Sequence, residues 1–239
     1  PLNLFGLTVS QVIYPLLSLH SAREEREELR TVVSQSLEIL WLFLAPASVG
    51  LIMLSRDTIA FFFERGAFTP NATVITAEAL VFYSIGLLAH GSLEIVARTF
   101  YAQKDTRTPV IVGAIGFLTN TLLNWLLVRP LAHKGLALAT SVSAVLSCLI
   151  LLKILRRKLG GLEGRVLVKN LTKIILASGI MGIVLFPMRA TASVWWRYLI
   201  TVVVGAGVYG VCVFALRPRC VVIIWRLSLR MARHWLKNH

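Results

Sequence analysis

His90, Glu94 and Arg98 stand at i, i+4 and i+8, on one face of a helix. A glutamate one turn ahead of an arginine makes a favourable ion pair. Ionisable groups set among apolar runs mark either a transport path or a contact between helices. Arg98 stands near the end of its apolar block, where a long cationic side chain can also snorkel to an interface. Asn120 and Asn124, again four apart, form a second polar group with Thr140 on the next apolar block. Their oxygens suit a hard cation such as sodium, and they equally suit hydrogen bonds between neighbouring helices. No carboxylate accompanies them to neutralise an ion. The sequence has no nucleophile–base pair, metal-ligand cluster or phosphate-binding loop. Cys148, Cys212 and Cys220 lack metal-ligand spacing and read as small packing residues.

The stretch from Tyr101 to Pro109 has a mechanical reading. Thr108 is expected to cap a helix that Pro109 starts, and Asp105 to balance Lys104 and Arg107. A rigid connection of this kind suits a hinge. Ala137, Ser141, Ala144 and Cys148 form a stripe of small residues, which predicts a close-packing helix face.

The elements that carry these residues are predicted to span a membrane. Of the 239 residues, 56% are hydrophobic and 15% charged, and the mean hydropathy is +0.75. Soluble domains carry about a quarter charged residues. The apolar residues come in blocks, several exceeding the roughly 20 needed to cross a hydrocarbon core. Seven spans are expected, at about 3–19, 37–54, 69–101, 108–128, 135–155, 168–186 and 195–216. Pro46 is expected to kink the second. Thr69-Pro70 is a capped start for the third, whose first turns would stand outside the hydrocarbon. The chain starts at Pro1 and enters its first apolar block at once, so it is expected to be a piece of a longer protein.

The net charge of +14 would suggest nucleic acid in a soluble protein. Here the basic residues lie between and after the apolar blocks, which excludes that partner in favour of a membrane. One set of loops holds only Arg56, Arg65, Arg129, Lys134, Arg189 and Arg197 of the 25. The excess on the other side places the loops after spans one, three, five and seven in the cytoplasm. Three connections have local structure. Ser21 to Glu24 reads as a capping box, starting a cytoplasmic helix at about 21–35 that runs into span two. The run 57–64, with Phe61, Phe62 and Phe63, reads as a short interfacial helix. Arg226, Arg230, Arg233 and Lys237 flank a stripe of Trp225, Leu229, Ala232 and Leu236. That makes an amphipathic helix for anionic lipids, or one packed on the protein's own loops.

Four strings carry a resemblance: Tyr14-Pro15-Leu16-Leu17-Ser18, Phe63-Glu64-Arg65-Gly66-Ala67-Phe68-Thr69, the run Arg98 to Pro109, and Gly135-Leu136-Ala137-Leu138-Ala139-Thr140. In order and spacing they resemble the MurJ/MviN family of lipid II flippases from residue 1 to about 160. The remainder matches only in having two more spans and a basic tail. The resemblance implies an all-α integral membrane protein, one lobe of a two-lobed fold shared with multidrug and lipid-oligosaccharide exporters. This chain then looks like the end of helix eight through helix fourteen. It divides into 1–160, a pair of helices at 161–216 forming a lipid-tail groove, and a cytoplasmic tail at 217–239. The family's best-known substrate arginines fall outside it, and a basic residue is common where this chain has Glu94.

The function implied is translocation of undecaprenyl-pyrophosphate-linked peptidoglycan precursor, lipid II, across a bacterial cytoplasmic membrane by alternating access. The missing N-terminal lobe would be the chief partner. No cofactor is implied, and energy would come from the membrane potential or a coupling ion, sodium or proton. The nearest rival is an exporter of another lipid-linked oligosaccharide or of drugs. An enzyme acting on a lipid pyrophosphate would need clustered carboxylates or histidines, and the 11 Asp and Glu are scattered. A membrane scaffold fits the tail but not the polar residues inside the spans.

Overall fold

In the computed structural model, α1 (Leu2–Ala22) and α2 (Arg26–Met53) form an antiparallel entry to the bundle. The residues described are 2–23, 25–188, 195–216 and 218. Short α3 (Ser55–Phe63) leads to α4 (Pro70–Ile85) and α5 (Leu87–Ala102). Then come α6 (Arg107–Leu131), α7 (His133–Lys158), α8 (Gly164–Met188) and α9 (Trp195–Leu216). No strand occurs among the described residues. The tail with Arg226, Arg230, Arg233 and Lys237 lies outside them.

α2 is the central post. It packs against α1, α5 and α8, while α9 leans on α8. α7 forms the second post, against α4, α5 and α6. Leu37, Leu40 and Leu44 of α2 are fully buried with Ile95 and Phe100 of α5, Leu155 of α7 and Ile174 of α8. One-sided apolar stripes make this core. α6, by contrast, turns Phe117, Leu118, Leu122 and Trp125 outward, as a lipid-facing helix does.

Among the described residues, α2, α6, α7, α8 and α9 are long and apolar enough to cross a membrane. α4 and α5 pass the same test only when taken together, as a pair bent by 44° at Gly86, which makes up to six. The first expected span coincides with α1, some of whose side chains lie outside the described set, and it is not in that count. These candidates coincide with the second to seventh expected spans. The expected helix at 21–35 is present from Arg26, continuous with span two through Pro46. The expected capping box is absent: Ser21 still lies inside α1, and α2 starts without a side-chain cap. Instead His20 Nδ1 meets Glu25 Oε2 at 2.7 Å across the turn.

The third expected span is broken at Gly86. Its start is as expected, with the Thr69 hydroxyl accepting from Ala72 N and Pro70 in the first turn. The break has an identifiable cause. Ser141 Oγ of α7 donates to Phe82 O at 2.6 Å, taking the carbonyl that Gly86 N would use in a helix. Ser48 Oγ of α2 takes Ser84 O at 2.5 Å. Gly86 N turns to Tyr83 O instead. A Cβ at Gly86 would lie 2.7 Å from Ser141 Cα, so only glycine lets α7 approach this closely. Insertion of neighbouring hydroxyls into the backbone ladder is a recognised origin of sharp bends.

Candidate functional site

α5, α6 and α7 enclose a niche of about 290 Å³. α5 lends His90, Glu94 and Tyr101, α6 lends Pro109, Gly113 and Gly116, and α7 lends Ser143 and Ser147. The close approach of α6 to α7 depends on Gly116, where a Cβ would fall 2.4 Å from Ser147 Oγ. The small-residue stripe of α7 performs as expected. Ala137, Ser141, Ala144 and Cys148 are buried, and Ser141 and Ala144 face the α4–α5 break and the niche.

His90 and Glu94 share the niche wall, but Arg98 is not part of it. No ion pair within 4 Å joins Glu94 to Arg98 among the described residues, contrary to the expectation from their spacing. Residues four apart on a helix are offset by about 40° around its axis. The offset lets the cavity take Glu94 while Arg98 lies beyond the lining.

Asn120 and Asn124 of α6 do meet Thr140 of α7. Asn120 Nδ2 donates to Thr140 Oγ1 at 3.3 Å and to Ser143 Oγ at 3.4 Å. Asn124 Nδ2 donates to Asn120 Oδ1 at 3.0 Å. Ser143 was invisible in the sequence, being one serine among several on α7. Asn124 Oδ1 is buried without a hydrogen-bond partner. The group forms a hydrogen-bond network between α6 and α7.

The Tyr101–Pro109 connection is rigid but built differently from expectation. Thr108 does not cap α6, because the helix already begins at Arg107. Asp105 is the cap: its Oδ1 accepts from Thr108 N at 3.1 Å and its Oδ2 from Thr108 Oγ1 at 3.0 Å. The cation it balances is Lys158, at the end of α7, rather than Lys104 or Arg107. Lys158 Nζ donates to Asp105 Oδ2 at 2.8 Å and stands 5.5 Å above the Phe100 ring. Lys158 and the turn together hold the Asp105 carboxyl down to about 2.

On the opposite flank, α2, α8 and α9 form an apolar groove of about 500 Å³. Phe43, Pro46, Leu51, Met181, Leu185 and Val202 contribute to its lining, with Tyr198 and Tyr209 at its polar points. Tyr209 donates to Leu42 O at 2.6 Å, and Tyr198 meets Thr58 Oγ1 at 3.2 Å. Below it Glu38 of α2, 1% exposed, accepts from Asn170 Nδ2 of α8 at 2.8 Å. The sequence signal for that contact was the lone carboxylate inside an apolar run.

A family model described as lipid II flippase MurJ matches residues 1–206. Lipid II flippase MurJ of Thermosipho africanus is 32% identical over 209 residues, 87% of this chain and 41% of that protein. The probable lipid II flippase MurJ of Haemophilus influenzae is 30% identical, over 86% of this chain and 44% of that protein. A solved structure of lipid II flippase MurJ in an inward closed conformation superposes with TM-score 0.76. It is 32% identical, over 91% of this chain and 44% of that one. The chain thus spans less than half the length of these relatives. On the family match and the shared fold together, it belongs to the lipid II flippase MurJ family.

Proposed function

We propose that this chain forms one lobe of a lipid II flippase. It would move the undecaprenyl-pyrophosphate-linked peptidoglycan precursor from the inner to the outer leaflet of the cytoplasmic membrane. The observation that carries this is the apolar groove between α2, α8 and α9, open along the bundle's flank, in a chain of this family. A long isoprenoid tail needs apolar surface, and the groove supplies it while the polar niche stands apart on α5–α7.

The mechanism is alternating access, with this lobe rocking as a rigid body against a second one. Two features suit a rigid body. The α4–α5 bend is pinned by hydroxyls from both posts, and the α5–α6 turn is tied to α7 through Asp105 and Lys158. The pyrophosphate-holding cations would come from the other lobe. The basic-residue bias supports a cytoplasmic side for the chain's last residues, whose cationic side chains suit anionic lipids. Energy comes from the membrane potential or an ion gradient.

Replacing the corresponding half of the Haemophilus influenzae relative with residues 1–239, in cells depleted of their own lipid II flippase, tests this directly. The chimera is expected to restore growth. Correct membrane insertion without rescue, in cells still supplied with lipid II, contradicts the assignment.

A further inference from the structure

The niche beside α5 holds a half-buried carboxylate whose one charged neighbour in the lining is His90, a turn away. Among the described residues, Glu94 joins no ion pair and accepts no hydrogen bond. Ser147 Oγ, on the facing wall, has no hydrogen bond among them either. A carboxylate within a membrane bundle is costly unless a cation or strong donors meet it. Glycines also keep the space beside it open: a Cβ at Gly113 would meet nothing within 4 Å.

Size and charge narrow the occupant. A volume of about 290 Å³ lies below the range of drug-sized ligand pockets but holds the end of a side chain. The negative charge of Glu94 disfavours a pyrophosphate. A bare metal ion would need more oxygens than Glu94 and Ser147 provide. A primary ammonium fits each feature. Its three donors suit the Glu94 carboxylate, Ser147 Oγ and a ring nitrogen of His90, all in the niche lining. The Tyr101 ring, also in the lining, offers a face that favours cations.

We propose that this niche binds a primary ammonium group carried on the peptide part of the transported precursor. This rests on a lipid-linked peptidoglycan precursor being the cargo. The niche would then read the peptide, while the α2–α8–α9 groove takes the tail.

The test is equilibrium binding, in lipid nanodiscs, to residues 1–239 joined to the N-terminal half of a MurJ relative. The probes are lipid II with a lysine in its stem peptide and the same lipid with that amine acetylated. The free amine is expected to bind about tenfold more tightly, the usual worth of one charge-assisted hydrogen bond. Glu94→Gln is expected to erase that preference while leaving the acetylated lipid within about twofold. Gly113→Leu, which fills the niche and keeps the Glu94 carboxylate, is expected to erase it too. Equal binding of both lipids to the unsubstituted chain overturns the proposal and leaves the cargo standing, as does an equal loss of both in Glu94→Gln. If neither lipid binds, the cargo assignment fails and this inference falls with it.

Discussion

Asp105, in the turn between α5 and α6, accepts a hydrogen bond from Lys158 at the far end of α7, 53 residues away. The same carboxylate caps α6 through Thr108. One side chain therefore fixes the angle at which α6 leaves α5 and ties that turn to the second post of the bundle. The ion pair is partly exposed, so it contributes under about 1 kcal/mol, and the cap contributes about 1 kcal/mol. Asp105→Ala is expected to cost about 1–2 kcal/mol by thermal unfolding in detergent, and Lys158→Met about half as much or less.

A pH dependence follows from the same contact. The carboxyl is held down to about 2 by Lys158 and Thr108, below its ordinary value of 3.8. A group depressed in the folded state stabilises above its unfolded value and loses that contribution as pH falls through the folded one. The chain is expected to lose stability relative to Asp105→Asn between about pH 4 and pH 2, with a constant difference above pH 5. Parallel melting curves across that window would count against the contact.

Gly86 is expected to tolerate no side chain. A Cβ there would approach Ser141 Oγ to 2.6 Å and Ser141 Cα to 2.7 Å. Overpacking of this kind costs about 1–3 kcal/mol. Gly86→Ala should lower thermal stability by that amount, and Ser141→Gly in the same chain should recover only part of it, since backbone remains in the way. Full tolerance of Gly86→Val would mean that α4–α5 does not press on α7.

Much of this architecture was legible in the sequence. Thr69-Pro70 started its helix where expected because a cap and a proline act within one turn. Asn120 and Thr140 met because consecutive antiparallel helices pack side by side, and their polar groups must pair in an apolar setting. The misses share a cause. The break at Gly86 depends on hydroxyls from α2 and α7, the partner of Asp105 lies 53 residues away, and Glu94 follows a cavity rather than its i+4 neighbour. Local spacing permits such contacts without choosing among them. The capping box at Ser21 failed for a similar reason, since α1 continues through that serine before the chain turns.

Filling the apolar groove should discriminate between lipids by tail length. Ala206 lines it, and Ala206→Trp would occupy it. Binding of lipid II with its full isoprenoid tail is expected to weaken about tenfold, the worth of a few lost methylene contacts. A short-tailed analogue should be little affected. An equal loss for both lipids would place the tail elsewhere.

Orientation is open to chemical labelling. Lys158→Cys, at the end of α7 assigned to the cytoplasm, should resist an impermeant thiol reagent in intact spheroplasts and react once they are opened. A cysteine at Gly66, in the loop after α3, should react in intact spheroplasts. The reverse pattern would invert the topology.

The central claim is that this chain is one of the two walls of a lipid II flippase. Proteoliposomes containing labelled lipid II test it most directly, by the rate at which label becomes accessible from the opposite leaflet. Vesicles with residues 1–239 joined to the N-terminal half of a MurJ relative are compared with vesicles holding residues 1–239 alone. The joined protein is expected to move lipid II, and the lobe alone to insert yet leave the lipid where it was, because alternating access needs two bodies. Robust movement by the lobe alone, or an inserted joined protein that moves another lipid-linked sugar but not lipid II, would contradict the account.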